Sequence, residues 1–220
     1  MPLRDHWRGH LLLFDQRPPT DLAPAACLKL ALVFVLLECV LGPRLWLLDA
    51  LGIAQPPAAI RVAVLLALAL LLVRYLVRVP LAAIGLKRWS AWSLAEKSYF
   101  LQVVVAATAI FVALNPKILA VPALVLATNF AWGFYQEVVY RGILQTALVQ
   151  RVGGVAGVLL ANAIFTFGPL HFYHFSGNAP LPMFAAIFAI GLLFGAIFHR
   201  SGNLWIVAVF HGLGSAFLLR

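Results

Sequence analysis

The stretch AAIRVAVLLALALLLVRYLVRV, Ala58 to Val79, decides the fold class of this chain. A helix that crosses a bilayer needs about 20 mostly apolar residues, because every backbone N–H and C=O must find its partner inside the segment. Ala58–Val79 has that length, with Arg61, Arg74 and Arg78 kept to its two ends. Six further segments read the same way: Ala25–Leu41, Ser98–Leu114, Ile118–Val149, Gly154–Phe172, Leu181–Phe198 and Leu204–Leu219. Composition agrees. Of 220 residues, 64% are apolar and 10% charged, whereas soluble domains run about 45–50% apolar and about 25% charged. Disorder, a disulfide scaffold and a free cytosolic enzyme are excluded. The formal charge of +9 suits anionic lipid headgroups rather than nucleic acid.

The expected fold is therefore all-α, a polytopic transmembrane bundle of about seven spans. Ile118–Val149 is too long for a simple span and has to tilt or project into water. Between the second and third spans, Leu81–Lys97 interleaves Trp89 and Trp92 with Lys87, Arg88 and Lys97, the pattern of an interfacial helix. Lysine and arginine set the orientation. With the N-terminus inside, eleven fall on the cytoplasmic side against Arg44, Arg61, Lys117 and Arg220 outside. Trp46, Trp89, Trp92 and Trp205 fall near helix ends, where amphipathic rings are favoured. Residues 1–24 read as a polar cytoplasmic segment before a retained anchor, and 25–220 as one transmembrane domain with its motif-bearing core at about 118–219. Cys27 and Cys39 are about 18 Å apart along one helix, too far to bond. Gly191 and Gly195 form a small-residue stripe suited to packing inside the bundle or between copies, so oligomeric state stays open.

Ionisable groups within spans are costly and mark function by default. Three places combine them with other polar groups. Glu137 and Arg141, preceded by Gln136, share a helix face at i, i+4. Pro169 removes a backbone N–H and should free the carbonyl of Phe165, with His171 just beyond and His174 three residues on. His211 stands beside the small residues Gly212, Ser215 and Ala216, which let a neighbouring helix approach. Of the seven acids, five fall in loops or surface segments, Glu38 lies near the outer end of the first span, and Glu137 alone is expected deep.

Taken together, Gln136-Glu137-Val138-Val139-Tyr140-Arg141, Phe167-Gly168-Pro169-Leu170-His171 and His211-Gly212-Leu213-Gly214-Ser215 resemble the CPBP family of intramembrane proteases. That family includes CAAX prenyl endopeptidases and bacteriocin-processing proteins, and its pattern is EExxxR, FxxxH and HxxxN or HxxxD. The likeness runs from about Ile84 to Ala216. It implies an intramembrane endopeptidase acting on a membrane-anchored protein or peptide, in a bacterial inner membrane. Two positions depart from the pattern. Gln136 replaces the glutamate usually assigned to activating water, and Ser215 replaces the Asn or Asp usually assigned to the oxyanion.

The resemblance thus implies Glu137 as the base, with Arg141 orienting it. His171 would orient water or serve the leaving amine. His211 with Ser215 would stabilise the oxyanion, and Gln136 would hydrogen-bond substrate. No cofactor is expected. The competing mechanism is a catalytic zinc held by Glu137, His171 and His211. The competing functions are a non-catalytic immunity-type binder and a small proton-coupled transporter.

Overall fold

The computed structural model describes residues 21–42, 45–174 and 181–217, and for residues 172–174 the backbone alone. Most of the expected N-terminal segment, the side chain of His174 and Arg220 lie outside the described residues.

Every regular element among the described residues is helical. Helix α1 is Pro24–Val35, with Pro24 in the first turn where its missing N–H has no partner to lose, and it runs on as π-helix through Leu41. Helix α2 is the short Trp46–Ala50. Helix α3, Ala58–Leu71, also ends in a π segment, Leu72–Val77. Helix α4 is Leu94–Leu114. Helix α5, Ala123–Glu137, passes without a break into π-helix over Val138–Gln145 and then into α6, Thr146–Val152. Gly153, at φ 91°, reverses the chain into α7, Gly154–Phe167. After Gly168 come α8, Pro169–His174, then α9, Leu181–Ser201, and α10, Leu204–Phe217.

Among the described residues, five helical stretches are long and apolar enough to cross a membrane: Pro24–Leu41, Ala58–Val77, Leu94–Leu114, Gly154–His171 and Leu181–Ser201. The other two expected spans are the 123–152 rod, interrupted by charge, and the shorter apolar α10. These two occupy the middle of the bundle and form its most extensive helix contact. Small residues allow it. A Cβ added at Gly133 would lie 2.8 Å from the His211 carbonyl oxygen and 2.9 Å from Gly212 Cα. Residues 137–147 are all buried, as expected where charged side chains must face the protein rather than lipid. Leu101, Val105, Ile110 and Leu114 of α4 are exposed, the surface a lipid-facing helix requires.

The segment expected as an interfacial helix takes another form. It is two 3-10 turns, Leu81–Ile84 and Trp89–Ala91, because Pro80 and a left-handed Gly85 (φ 86°) interrupt it. The Gly85 carbonyl accepts from the Leu204 amide at 3.0 Å, so this segment docks on the start of α10. A polar clamp surrounds that contact. Lys87 Nζ donates to Glu96 Oε1 at 3.0 Å and to the Ser201 carbonyl at 3.1 Å, and Asn203 Nδ2 donates to Glu96 Oε1 at 3.2 Å. The indoles of Trp92 and Trp205 both donate to the Lys87 carbonyl, at 3.3 and 3.1 Å. Glu96 also closes a capping box with Ser93 at the start of α4.

Removing one partner of a buried ion pair leaves the other charge uncompensated, at a cost of about 3–5 kcal/mol. Glu96→Leu should therefore lower the thermal unfolding midpoint of the detergent-solubilised protein. Adding Lys87→Met should restore part of the loss, whereas equal or greater destabilisation in the double variant would show that the pair is not what matters there.

Candidate active site

The site is built on the π-helical stretch. In an α-helix residues 135 and 140 would lie about 140° apart, at about 100° per residue. The π segment that begins at Val138 bonds i to i+5 and turns less per residue, which narrows that angle between Tyr135, just before it, and Tyr140, within it. Here Tyr135 and Tyr140 do fall on one side, and their hydroxyls donate to the two carboxylate oxygens of Glu38 at 3.0 and 2.8 Å. Glu137 and Arg141 engage other partners.

Arg141 is fully buried. Its Nη2 donates to the carbonyl of Gly191 on α9 at 2.9 Å and to Asn162 Oδ1 on α7 at 3.2 Å. Asn162 is held in turn by donating to the Phe188 carbonyl at 2.9 Å. The guanidinium also lies over the Phe165 ring, 4.7 Å from its centroid, a favourable cation–π placement. One helical turn away is Glu137, with its Oε2 3.6 Å from Arg141 Nε. That is an ion pair but not a hydrogen bond. The other oxygen, Oε1, accepts from His211 Nδ1 at 2.8 Å. Glu137 has no exposure, while the His211 side chain keeps 19%. The imidazole therefore stands between the carboxylate and the space beyond.

That space is a cavity of about 430 Å³. Phe111, Phe165, Phe194 and Phe210 line it with Ile187, Ile190 and Leu193, and its polar groups are His171, His211 and Ser215. His171 reaches it through the break at Pro169. With no N–H on Pro169, the Phe165 carbonyl lacks its helical donor, and His171 Nδ1 takes that place at 2.5 Å. A carbonyl only accepts, so Nδ1 carries the proton and the neutral ring has its lone pair on Nε2. His211 is fixed in the same sense by Glu137. The His171 and His211 rings both pack edge-on against Phe165, with centroids 4.6 and 6.2 Å from it.

Glu137, His171 and His211 thus come together, but not as three equals around one point. Glu137 is not part of the cavity wall and reaches it through His211. Glu137 Oε1 and His211 Nδ1 are engaged with each other, and among the described residues no three His, Cys, Asp or Glu side chains are grouped to hold a metal ion. The competing zinc set of Glu137, His171 and His211 would have to use atoms other than Glu137 Oε1 and His211 Nδ1, which engage each other. Ser215 lines the cavity, Arg141 lies behind Glu137, and Gln136 is half-buried away from the cavity wall. Gly191 and Gly195 pack inward, their carbonyls accepting from Arg141 and Gln145 at 2.9 Å each. Cys27 and Cys39 are free.

Three participants escaped the sequence reading. Asn162 and Phe165 hold Arg141, and neither carries a charge to flag it in an apolar helix. Glu38 did carry a signal, since an acid within the apolar window of the first span qualifies as an intramembrane charge. It is fully buried, and so is Glu96, which was expected in a surface segment.

No curated protein and no solved structure matches the chain. Residues 117–217, which carry α5 to α10, match the family described as type II CAAX prenyl endopeptidase Rce1-like. The matched region takes in the buried Glu137–Arg141 pair and both cavity histidines. Over this part, a little under half of its length, the chain is similar to the Rce1-like type II CAAX prenyl endopeptidases, which supports its place in the CPBP family, and its long apolar helices make it an integral membrane protein.

Proposed function

We propose that the protein hydrolyses a peptide bond in a membrane-anchored protein or peptide, with His211 as the group that takes the proton from water and Glu137 as the carboxylate behind it. The observation that carries this reading is the 2.8 Å contact of His211 Nδ1 with a fully buried Glu137. It refines the expectation that Glu137 meets water itself. A carboxylate on Nδ1 fixes the tautomer, leaves Nε2 for the cavity and stabilises the imidazolium once the proton arrives.

In the proposed reaction the water oxygen bonds to the scissile carbonyl carbon while His211 Nε2 takes a water proton. Ser215 Oγ donates to the oxyanion, and His171 supplies a second nitrogen at the cavity wall to orient the water. The imidazolium then gives its proton to the leaving nitrogen, the C–N bond breaks, and a carboxylic acid and an amine result. Arg141 stands 3.6 Å behind Glu137 as its buried counter-charge. The scheme is written without a metal, with Glu137 Oε1 and His211 Nδ1 engaged with each other. The phenylalanine-rich wall suits an apolar side chain or a lipid-modified residue entering from the bilayer. We place the N-terminal side in the cytoplasm of a bacterial inner membrane, an orientation supported by the lysine and arginine distribution.

His211→Ala should lower kcat/KM for a membrane-anchored peptide by about 10²- to 10⁴-fold, and activity of the wild type should survive a strong chelator. Glu137→Gln keeps an acceptor for Nδ1 but loses the charge. If it acts through His211, its effect should largely vanish in the His211→Ala background, as expected of residues working as a unit. Full additivity would instead make Glu137 an independent base.

Gly133→Ala tests the close helix approach that brings His211 to Glu137. Its Cβ would lie 2.7 Å from Ser215 Oγ and 2.8 Å from the His211 carbonyl oxygen, so α10 must shift. We expect a loss of about 100-fold in kcat, the scale of a 1 Å misplacement, with the protein still inserted. Wild-type turnover would mean that the approach is not critical. The pair Gln136→Glu with Ser215→Asn, which completes the family pattern, should raise turnover, and a non-catalytic binder would remain without activity.

A further inference from the structure

Glu38 has no place in the reaction just described, yet its surroundings are as organised as those of Glu137. It lies in the π segment of the first span with no exposure. Among the described residues no lysine, arginine or histidine pairs with it, and its only donors are the hydroxyls of Tyr135 and Tyr140. Each oxygen takes one hydroxyl, the two-point grip of a carboxylate. A buried acid without a cation is expensive to keep for packing alone, since several kcal/mol of desolvation must be offset.

The grip falls on residues that bracket the motif. Tyr135 precedes Glu137 by two positions and Tyr140 precedes Arg141 by one. Pulling both tyrosines to one side sets the rotation of the helix, and with it the direction in which Glu137 and Arg141 project. Tyr140 also packs edge-on against Phe165, with ring centroids 5.2 Å apart, and Phe165 carries the rings of His171 and His211 on its edges. From the other side Phe34, one turn before Glu38, packs on Tyr140 at 5.3 Å. Helix α8, which presents His171, rests against the same π segment of the first span. A continuous set of contacts thus runs from Glu38 to both cavity histidines.

We propose that Glu38 is a positioning residue for this site: by holding Tyr135 and Tyr140 on one face of the motif helix, it presents Glu137 to His211 and seats Tyr140 against Phe165. This deepens the proposed hydrolytic reading, and its kinetic consequence rests on that reading, while its structural consequence does not. Glu38 touches no reacting atom and acts through the two tyrosines.

The test uses the protein with ¹⁵N-labelled histidine in detergent micelles, the His211 signals being identified by their loss in His211→Ala. Glu38→Gln keeps the shape but cannot accept from both hydroxyls. It should shift the His211 Nδ1 resonance and lower kcat on a membrane-anchored peptide about 10- to 100-fold, leaving KM within about twofold. Tyr140→Phe added to Glu38→Gln should cost less than about twofold more, because both changes break one contact. Should Glu38→Gln fail to fold, Tyr135→Phe and Tyr140→Phe remove only hydroxyls and carry the same expectations. An unchanged His211 spectrum in the folded variants overturns the proposal, and so does a shifted spectrum with wild-type kcat. If the wild type cuts no peptide while the resonance still moves, the hydrolytic reading fails and the link from Glu38 to His211 stands.

Discussion

The bundle is organised around one buried guanidinium. Arg141 has no exposure, and taking such a charge out of water costs several kcal/mol unless the surroundings supply partners. They come from across the bundle: a carboxylate one turn away, an amide oxygen on α7, a backbone carbonyl on α9 and the face of Phe165. Each partner fixes an element. Gly191 has to lack a side chain, since a Cβ there would lie 2.3 Å from Asn162 Oδ1 and 2.9 Å from Arg141 Nη2. Through Glu137 the same network reaches His211 on α10.

This arrangement separates two tasks that a membrane protease must combine. The cavity is almost wholly apolar and suits a substrate that arrives from lipid. Polar capacity is concentrated in two imidazoles whose Nδ1 atoms are committed elsewhere, one to a carbonyl and the other to a carboxylate.

Among the described residues three carboxylates are buried, and each is satisfied by different chemistry. Glu96 pairs with Lys87 and caps a helix, Glu137 faces Arg141 and His211, and Glu38 takes two tyrosine hydroxyls. Only the second was legible beforehand, because its cation lies four residues along the same helix. Lys87 is nine residues from Glu96, and the tyrosines are 97 and 102 residues from Glu38. Separations of that kind leave no periodic trace. The carbonyl freed by Pro169 was legible for the opposite reason, since it follows from the covalent structure of proline. That His171 would take it was not.

Apolar run length and the placement of charge determined, from the sequence alone, that the chain is an all-α membrane protein, and they singled out Glu137, His171 and His211 as candidate site residues. Hydrophobic length and helical period are local properties, and sequence displays them directly. Tertiary structure alone decided that Glu137 meets the cavity through His211, that the two histidines share the edges of Phe165, and that Glu38 grips the motif helix. Those outcomes depend on helix rotation, on a π register that narrows the angle between Tyr135 and Tyr140, and on glycine contacts between helices. None of these is visible until distant segments are packed against each other.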